Sequence, residues 1–359
     1  MYEVDFLPVG EGEKSGDAIA VRFQYPNPIN NDHAVVVIDG GYQQDGPKLA
    51  ESIIKHYKTN RIDLVISTHA DADHVNGLTK LVELHKAGVI VIGELMLHQP
   101  WNYAQNYEAV KFRQGASEEF TKSLARAEEL YNLAEEAGIP IYEPFTGDSR
   151  FNGILTVVGP DPDYYLSLVP EFGAPSSKPM GLAGLLGRMA SADNFVTKTL
   201  ERLDFETLTN EGETSAKNNS SIIIELRPQG RRLLFTGDAG QEALHRAVDS
   251  LSVSLELEPL SFVQVPHHGS HHNVGPAILD RLLGEPNTRL TGSAIAFVSA
   301  SKDAPKHPSK RVTNAFHRRG CTVCSTEGKQ IRHSFNAPDR EGWAPTTPIP
   351  FHAEVEDDD

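Results

Sequence analysis

The sequence has few cysteines, no long apolar run and little positive charge, and each shortage excludes a class of protein. Two cysteines in 359 residues cannot build a disulfide framework. No apolar run reaches the roughly 18–20 residues that span a bilayer, and the first residues lack the basic and apolar regions of a secretory signal. We therefore expect a protein of the reducing cytoplasm with no membrane insertion.

The shortage of positive charge argues against a general affinity for nucleic acids. The formal net charge is −16, and a uniformly acidic surface repels phosphate backbones. A local exception is the basic run at residues 302–319, which contains Lys302, Lys306, Lys310, Arg311, His317, Arg318 and Arg319. Such a run is compatible with a solvated surface loop and equally with a rim that attracts an anionic substrate.

Short apolar segments alternate with amphipathic ones, which predicts an α/β fold. Two segments depart from this pattern. Residues from about 161 to 217 lack strong periodicity apart from a predicted helix around 193–204, and we interpret them as an irregular insertion. Residues 336–359 are Pro-rich and then acidic, which predicts a C-terminal tail.

Acidic and imidazole side chains follow four of the predicted strands. The first group is "HADADH", with His69, Asp71, Asp73 and His74; the others are Asp238, the pair His267 and His268, and His307. Such a cluster needs cations, and metal ions bound by imidazole nitrogens and carboxylate oxygens provide them most simply. A His/Asp set without cysteine favours a catalytic Zn²⁺ or Mn²⁺ site over structural zinc.

The motifs resemble those of the metallo-β-lactamase fold. "HADADH" is similar to the H-x-[HED]-x-D-H signature of that fold. Together with "VGEGEKSGDAIAVRF", "VVIDGG", "NNSSIIIEL", "LLFTGD", "VPHHGS" and a later "HP", it is most similar to the ComEC-like branch, which contains the soluble hydrolase domain of competence DNA-channel proteins and stand-alone relatives. The resemblance covers roughly residues 4–90 and 215–333. It implies an αββα sandwich, with two mixed β-sheets between outer helices, as a single domain over residues 1–335.

The resemblance also implies two divalent metal ions, Zn²⁺ or Mn²⁺. His69 and Asp71 would bind the first ion, Asp73 and His74 the second, Asp238 would bridge both, and His267 would complete the set. Because side chains alternate along an extended chain, we expect one histidine of the pair 267–268 to be a ligand. We expect that residue to be His267, with His268 facing the substrate or supporting a ligand.

Two positions depart from the wider fold. Asp71 stands where histidine is usual, and Asn218 and Asn219 precede "SSIII", where another histidine ligand is usual. Both departures also occur in the ComEC-like branch. They leave the first site more anionic, which favours the harder Mn²⁺.

Two ions that share a water lower its pKa to near 7 and direct hydroxide at an electrophile. The expected activity is therefore phosphodiester hydrolysis, on DNA or a nucleotide. Asp73 and Asp238 would orient the hydroxide, and His307 would contact the substrate oxyanion or protonate the leaving group. The expected substrate contacts are His268, Lys306, Lys310 and Asn219.

Two alternatives stay open. A hydrolase of a small ester, lactone or amide would use the same metals, would need no basic rim, and predicts an apolar pocket formed by residues 160–210. A metal-stabilised partner of another protein would dock through the insertion at 161–217 or through the tail.

Overall fold

Two β-sheets form the centre of the protein in the computed structural model, which describes residues 1–103, 118–172, 199–200, 205–286 and 294–356. The first sheet has seven strands, which are in spatial order β17 (Ile331–Phe335), β1 (Tyr2–Phe6), β2 (Ala18–Gln24), β3 (His33–Gly40), β5 (Leu64–Ile66), β7 (Leu95–Met96) and β8 (Ile141–Tyr142). Pairing is antiparallel from β17 to β3 and parallel from β3 to β8.

The second sheet has the same mixed character. Its seven strands are in spatial order β16 (Thr322–Ser325), β15 (Ile295–Val298), β14 (Phe262–Gln264), β13 (Leu233–Phe235), β12 (Ile223–Leu226), β10 (Leu155–Gly159) and β9 (Ser149–Arg150). The pairs from β16 to β13 are parallel, and the pairs from β13 to β9 are antiparallel. Two short pairs lie outside these sheets: β4 (Arg61–Ile62) with β6 (Val91–Ile92), and β11 (Thr199–Leu200) with β18 (Glu354–Val355).

Alternation of side chains along the strands builds separate cores on the two faces of each sheet. On β2, Ile19 and Val21 pack between the sheets, whereas Ala18 and Ala20 face the outer helices. Aromatic rings from both sheets meet in the central core, where the ring centroids of Phe6 and Phe297 are 5.4 Å apart. Burial on both faces explains why central strands such as β5 and β13 are entirely apolar.

Helices cover the outer face of each sheet. The first sheet carries α1 (Asp45–Ser52), α2 (Ala72–Lys86) and α3 (Glu118–Glu136), and the second carries α6 (Gln241–Ser250), α7 (Pro276–Leu283) and α8 (Lys310–Arg318). Two short helices, α4 (Pro162–Leu168) and α5 (Ala216–Asn219), lie between these groups in the chain. The αββα sandwich with two mixed sheets is confirmed. Of the helices in the described ranges, none combines the length and the apolar character needed to cross a membrane.

The C-terminal segment, residues 336–356, packs against the protein and is not the free tail that its composition predicted. The Arg311 guanidinium donates to the Glu356 carbonyl oxygen at 2.8 Å, and the Asn314 side chain bonds the backbone of His352 in both directions at 2.8 Å. At the start of the segment, Arg340 pairs with the buried carboxylates of Glu3 and Asp5. Side-chain contacts of this kind immobilise a stretch whose composition alone suggests disorder.

The predicted helix around 193–204 lies mostly outside the described residues. Its two described residues, Thr199–Leu200, form a strand that pairs with Glu354–Val355.

Candidate metal centre

The "HADADH" motif lies where strand β5 passes into helix α2. The helix begins at Ala72, so Asp73 and His74 occupy its first turn. A close contact with strand β3 holds this end of the helix, because a Cβ atom on Gly77 would lie 1.8 Å from the Gly40 oxygen. Only glycine fits such an approach, so the backbone itself fixes the motif against the first sheet.

The other candidate residues arrive from the ends of parallel strands in the second sheet. Asp238 follows β13, and His267 and His268 follow β14. Because the carboxyl ends of parallel strands share one edge of a sheet, these side chains meet the motif of the first sheet across the top of the sandwich. The site is therefore formed jointly by the two sheets.

Four side chains form a first ligand set. The Nε2 atom of His69 lies 3.4 Å from Asp71 Oδ2 and 3.6 Å from Asp238 Oδ2. His267 approaches the same Asp238 oxygen, with its Nε2 atom at 3.6 Å. Separations of this size leave room for a cation between the donor atoms.

A second ligand set lies on the other side of Asp238. The Nε2 atom of His74 is 3.5 Å from Asp238 Oδ1 and 3.8 Å from Asp73 Oδ2. His268 Nε2 lies 3.5 Å from the same Asp73 oxygen. Asp238 thus presents one carboxylate oxygen to each set, which is the arrangement expected of a bridging ligand.

Unsatisfied buried atoms show that the two sets suit cations. His69 Nε2, His74 Nε2, His268 Nε2 and Asp238 Oδ1 are buried without a hydrogen-bond partner. Leaving such atoms unpaired in the interior is costly, and imidazole nitrogens with carboxylate oxygens are the donors that Zn²⁺ and Mn²⁺ accept. The residues present therefore fit the metal ions that the sequence implied.

The pKa shifts of the histidines also indicate that the carboxylates of the cluster favour positive charge nearby. Burial opposes protonation of His268, but the negative charges of the nearby Asp238 and Asp73 raise its pKa to about 9. Burial likewise opposes a charged His74, yet the nearby carboxylates of Asp238 and Asp39 raise its pKa well above the usual value. Bound cations would satisfy these carboxylates in place of protons.

Partners behind the histidines fix their orientation. Asp39 Oδ2 accepts from His74 Nδ1 at 2.7 Å, and Asn273 Oδ1 accepts from His267 Nδ1 at 2.8 Å. His69 Nδ1 lies 3.1 Å from the Thr68 hydroxyl. In each case the Nδ1 contact leaves Nε2 directed at the cluster, as outer partners of metal-binding histidines do. Sequence reasoning did not identify these partners, although Asp39 stands in the quoted "VVIDGG" motif.

The structure departs from the prediction at the histidine pair. His267 and His268 have φ angles of 47° and 55°, so the chain turns in the left-handed region and is not extended. The two rings consequently approach different ligand sets. His268 is buried, at 6% exposure, and belongs to a cluster with Asp73 and His74, so it does not face a substrate as predicted.

His307 lies beside the cluster, with its ring centroid 6.4 Å from that of His267. Burial and the neighbouring charges of His268 and His267 lower the pKa of His307 to about 4. Together with Lys306 and Lys310 it lines a cleft of about 1090 Å³, whose other wall includes residues 342–350 of the C-terminal segment. Both lysine side chains are exposed. The prediction that they contact the substrate therefore stays open.

The remaining candidate, Asn219, has a structural contact. Its side-chain oxygen accepts from the backbone N–H of Gly240 at 3.1 Å, at the start of helix α6. The side-chain oxygen is thus committed to the turn after Asp238. This bond engages only the oxygen of the amide, so the prediction that Asn219 contacts the substrate stays a prediction.

Three of the seven residues of the basic run also have structural contacts. Arg311, Arg318 and Arg319 are buried, at 5–6% exposure. Arg318 donates to the Phe205 carbonyl oxygen, and Arg319 pairs with Glu206 and Asp280. These guanidinium groups hold segments of the protein together, so the rim available to a substrate is smaller than the sequence suggested.

A lysine that sequence reasoning missed stands at the first ligand set. Lys217 of helix α5 forms an ion pair with Asp71 Oδ1 and lies 3.3 Å from the hydroxyl of Ser123 on α3. Burial opposes ionisation of Asp71, but its contacts with His69 and Lys217 hold its pKa below the usual range. Lys217 directly precedes Asn218 and Asn219, the two residues that stand where the wider fold usually has a histidine ligand.

The hydrogen bond between Asp39 and His74 yields a first prediction. Asp39→Asn replaces the carboxylate that accepts from His74 Nδ1 with an amide. The amide has one acceptor oxygen, whereas the carboxylate has two. We expect metal affinity to fall by about 10- to 100-fold, measured by calorimetric titration of metal-free protein.

The matched control for this prediction is Asp63→Asn. Asp63 is another buried carboxylate, but its partners are Arg61 and Asn30, so its loss should leave metal affinity unchanged. Equal affinities in the parent and in the Asp39→Asn variant would show that Asp39 does not orient His74.

The chain is similar to several known proteins. ComE operon protein 3 of Bacillus subtilis (strain 168) is 21% identical over 340 residues, which cover 90% of the chain but only 32% of that protein. A metal-dependent hydrolase of the beta-lactamase superfamily is 12% identical, with a TM-score of 0.44 over 93% of the chain and 99% of its own. Zn²⁺-bound PqqB from Methylobacterium extorquens is 11% identical, with a TM-score of 0.42 over 93% and 100% of the two chains.

The family model of the metallo-beta-lactamase superfamily matches residues 29–292. This range includes strand β5 with its "HADADH" motif, Asp238 and the histidine pair, and it spans both sheets. The match covers well over half of the chain, and the fold and the His/Asp cluster agree with it. The chain therefore belongs to the metallo-beta-lactamase superfamily.

Proposed function

We propose that the chain hydrolyses phosphodiester bonds, in DNA or in nucleotides, with two divalent ions of Zn²⁺ or Mn²⁺. The observation that carries this proposal is the pair of ligand sets that share Asp238, each with buried donor atoms that lack a partner. Two ions held by one shared carboxylate suit the displacement of an oxygen at phosphorus, since both the attacking and the leaving oxygen need charge stabilisation.

The first ion would be held by His69, Asp71, His267 and one oxygen of Asp238. The second would be held by Asp73, His74, His268 and the other oxygen of Asp238. When bound, the ions would act as Lewis acids and lower the pKa of a shared water to near 7. The carboxylate of Asp71 makes the first set more anionic than an all-histidine set, which favours Mn²⁺ there.

The protein's own side chains supply orientation and hydrogen bonds. Asp73 and Asp238 would orient the attacking water, because their carboxylates lie on the inner side of the two sets. His307, with its pKa lowered to about 4, is neutral at pH 7. A neutral imidazole can donate an N–H to a developing oxyanion, so we assign His307 this role and not that of a protonated acid.

The substrate class rests on two further supports. Similarity to ComE operon protein 3 agrees with the proposed ComEC-like branch, whose resemblance implied a DNA-related substrate. Lys306 and Lys310 line the cleft beside His307, where positive charge favours approach of phosphate groups to an acidic protein. Location in the cytoplasm, and a protein partner that docks on the insertion or on the C-terminal segment, remain predictions.

The competing proposal, a hydrolase of small neutral esters, predicted an apolar pocket formed by residues 160–210. Tyr165 and Phe172 do line a cavity beside His69, but its volume is about 20 Å³. A cavity of that size holds about one water molecule and no acyl group. The described part of the insertion thus gives the ester proposal little support.

The proposal is tested by measuring metal content and substrate preference together. Purified protein is expected to bind two ions per chain by elemental analysis. It should hydrolyse bis(p-nitrophenyl) phosphate and single-stranded DNA with Mn²⁺ or Zn²⁺, and chelated protein should be inactive. Robust turnover of p-nitrophenyl acetate or a lactone, with no turnover of either phosphodiester under any of Mn²⁺, Zn²⁺ and Mg²⁺, would favour the ester hydrolase instead.

A further inference from the structure

Lys217 places a cation inside the candidate active site. Its ammonium pairs with Asp71 Oδ1 and lies 3.3 Å from Ser123 Oγ. The opposite oxygen of Asp71 is 3.4 Å from His69 Nε2. Lys217 therefore contacts the first ligand set from the side away from Asp238, without occupying the position between the donor atoms.

The ammonium retains capacity for a further partner. A lysine ammonium has three N–H donors, and two of them are used by Asp71 and Ser123 among the residues that the structure describes. The side chain is 15% exposed, so the ammonium is largely but not completely removed from solvent. A partly desolvated ammonium binds an anion more strongly than an exposed one.

The surroundings of Lys217 keep it in place. The Ser215 hydroxyl caps helix α5 by accepting from Asn218 N at 3.1 Å, and the Ser220 hydroxyl donates to the Lys217 carbonyl oxygen at 2.6 Å. Ser123, which fixes the ammonium, is fully buried on α3. An ammonium held by Asp71 and Ser123 on a capped helix needs little rearrangement when a ligand arrives, and such preorganisation strengthens its effect on developing charge.

Once metal ions are bound, neutralising the charge of Asp71 cannot be the only role of Lys217. A divalent ion in the first set would itself neutralise Asp71, and the charge of Lys217 would then be in excess. Excess positive charge beside two metal ions is of use to an anionic ligand and of none to a neutral ester. The exposed Lys306 and Lys310 are poorer candidates for this role, because solvent screens their charges and their side chains lose more freedom on binding.

We propose that the Lys217 ammonium binds a non-bridging oxygen of the substrate's phosphoryl group. The inference rests on the proposed phosphodiesterase function and deepens it, since it identifies the fixed cation that distinguishes a phosphodiester from a neutral ester. In this assignment Lys217, beside the metal ions, binds the phosphoryl group. The basic run at residues 302–319 then contributes only a weaker attraction at longer range.

Binding of inorganic phosphate to Mn²⁺-loaded protein provides a test that does not depend on turnover. Lys217→Gln removes the charge and is expected to weaken phosphate binding by about 10- to 100-fold in calorimetry, the range for a hydrogen bond to a charged group. Lys217→Arg keeps the charge and should recover part of the affinity. The control is Lys80→Gln, which removes a lysine paired with Glu83 on the surface of α2 and should bind phosphate as the parent does.

Kinetics and metal analysis complete the test. For bis(p-nitrophenyl) phosphate, kcat/KM of Lys217→Gln should fall by a similar factor, while Mn²⁺ content and turnover of p-nitrophenyl acetate stay within about threefold of the parent. Unchanged phosphate affinity would overturn the inference, and so would loss of Mn²⁺ from the variant, because Lys217 would then act only through the ligands. If the parent hydrolyses no phosphodiester but the variant still loses phosphate affinity, the proposed function fails and the assignment of Lys217 as an anion-binding residue stands.

Discussion

Asp238→Asn is expected to abolish hydrolysis, lowering kcat/KM by about 10³-fold or more, while the protein still folds. Asp238 approaches histidines of both ligand sets, with Oδ2 facing His69 and His267 and Oδ1 facing His74. The substitution preserves size but removes the charge and one acceptor. Loss of charge stabilisation worth several kcal/mol corresponds to three or more powers of ten in rate.

Unfolding in urea with and without Mn²⁺ separates loss of metal from loss of fold. Binding to the folded state alone stabilises the parent by about 2.7 kcal/mol when free metal is 100 times its Kd. The Asp238→Asn variant should unfold cooperatively but gain less than about 1 kcal/mol at the same metal concentration. The Asp63→Asn control should gain as much stability from Mn²⁺ as the parent does. A variant that kept both its metal-dependent stabilisation and its activity would exclude Asp238 as the bridging ligand.

Arg319→Met is expected to destabilise the protein by about 3 kcal/mol and to leave substrate capture unchanged. The Arg319 side chain is fully buried and pairs with Glu206 at 3.0 Å and Asp280 at 2.7 Å. Removing one partner of a buried ion pair typically costs about 3–5 kcal/mol. We expect the lower end here because the carboxylate of Asp280 is 36% exposed and can regain water.

Urea unfolding measures this effect, and a salt series measures substrate capture. Lys310→Met removes an exposed charge from the same basic run and should change stability by no more than about 0.5 kcal/mol. Neutralising Arg319 should leave the salt dependence of DNA binding as it is, because its charge is committed inside the protein. If the unfolding free energy were unchanged and the salt dependence of DNA binding became flatter, Arg319 would instead belong to the surface that contacts the substrate.

The residues around "HADADH" were predictable because their positions follow from local rules. Each candidate metal ligand follows one of the apolar strands β5, β13 and β14, and each of these strands pairs in parallel with at least one neighbour. Parallel strands bring such ends to one edge. The αββα layering was likewise predictable from the order of the motifs, and it is confirmed.

The details that the sequence did not reveal depend on backbone conformation and on distant contacts. Nothing in "VPHHGS" shows that His267 and His268 adopt left-handed φ angles, and assuming an extended chain separated the pair into a ligand and a substrate contact. The contacts of Lys217 with Asp71 and of Asn273 with His267 join groups on different elements. Neither pairing has a signature in periodicity or composition.

The basic run shows that a cluster of charges does not reveal its partners. Arg311 and Arg318 are seven residues apart on helix α8, so they share one face, and that face contacts the C-terminal segment and the Phe205 backbone. This spacing was visible in the sequence. The acceptors were not, because the C-terminal segment had been interpreted as a tail with no fixed position.

The residues of the candidate metal centre come from both sheets, so bound metal would link the two sheets to each other. His69 to His74 follow a strand of the first sheet, whereas Asp238, His267 and His268 follow strands of the second. An occupied site would tie these distant parts of the chain into a closed loop, and closing a long loop in the native state restricts how the sheets can separate. Metal removal would take away this link, while direct contacts such as the hydrogen bond from Gln264 to Asp17 at 2.9 Å would still join the two halves.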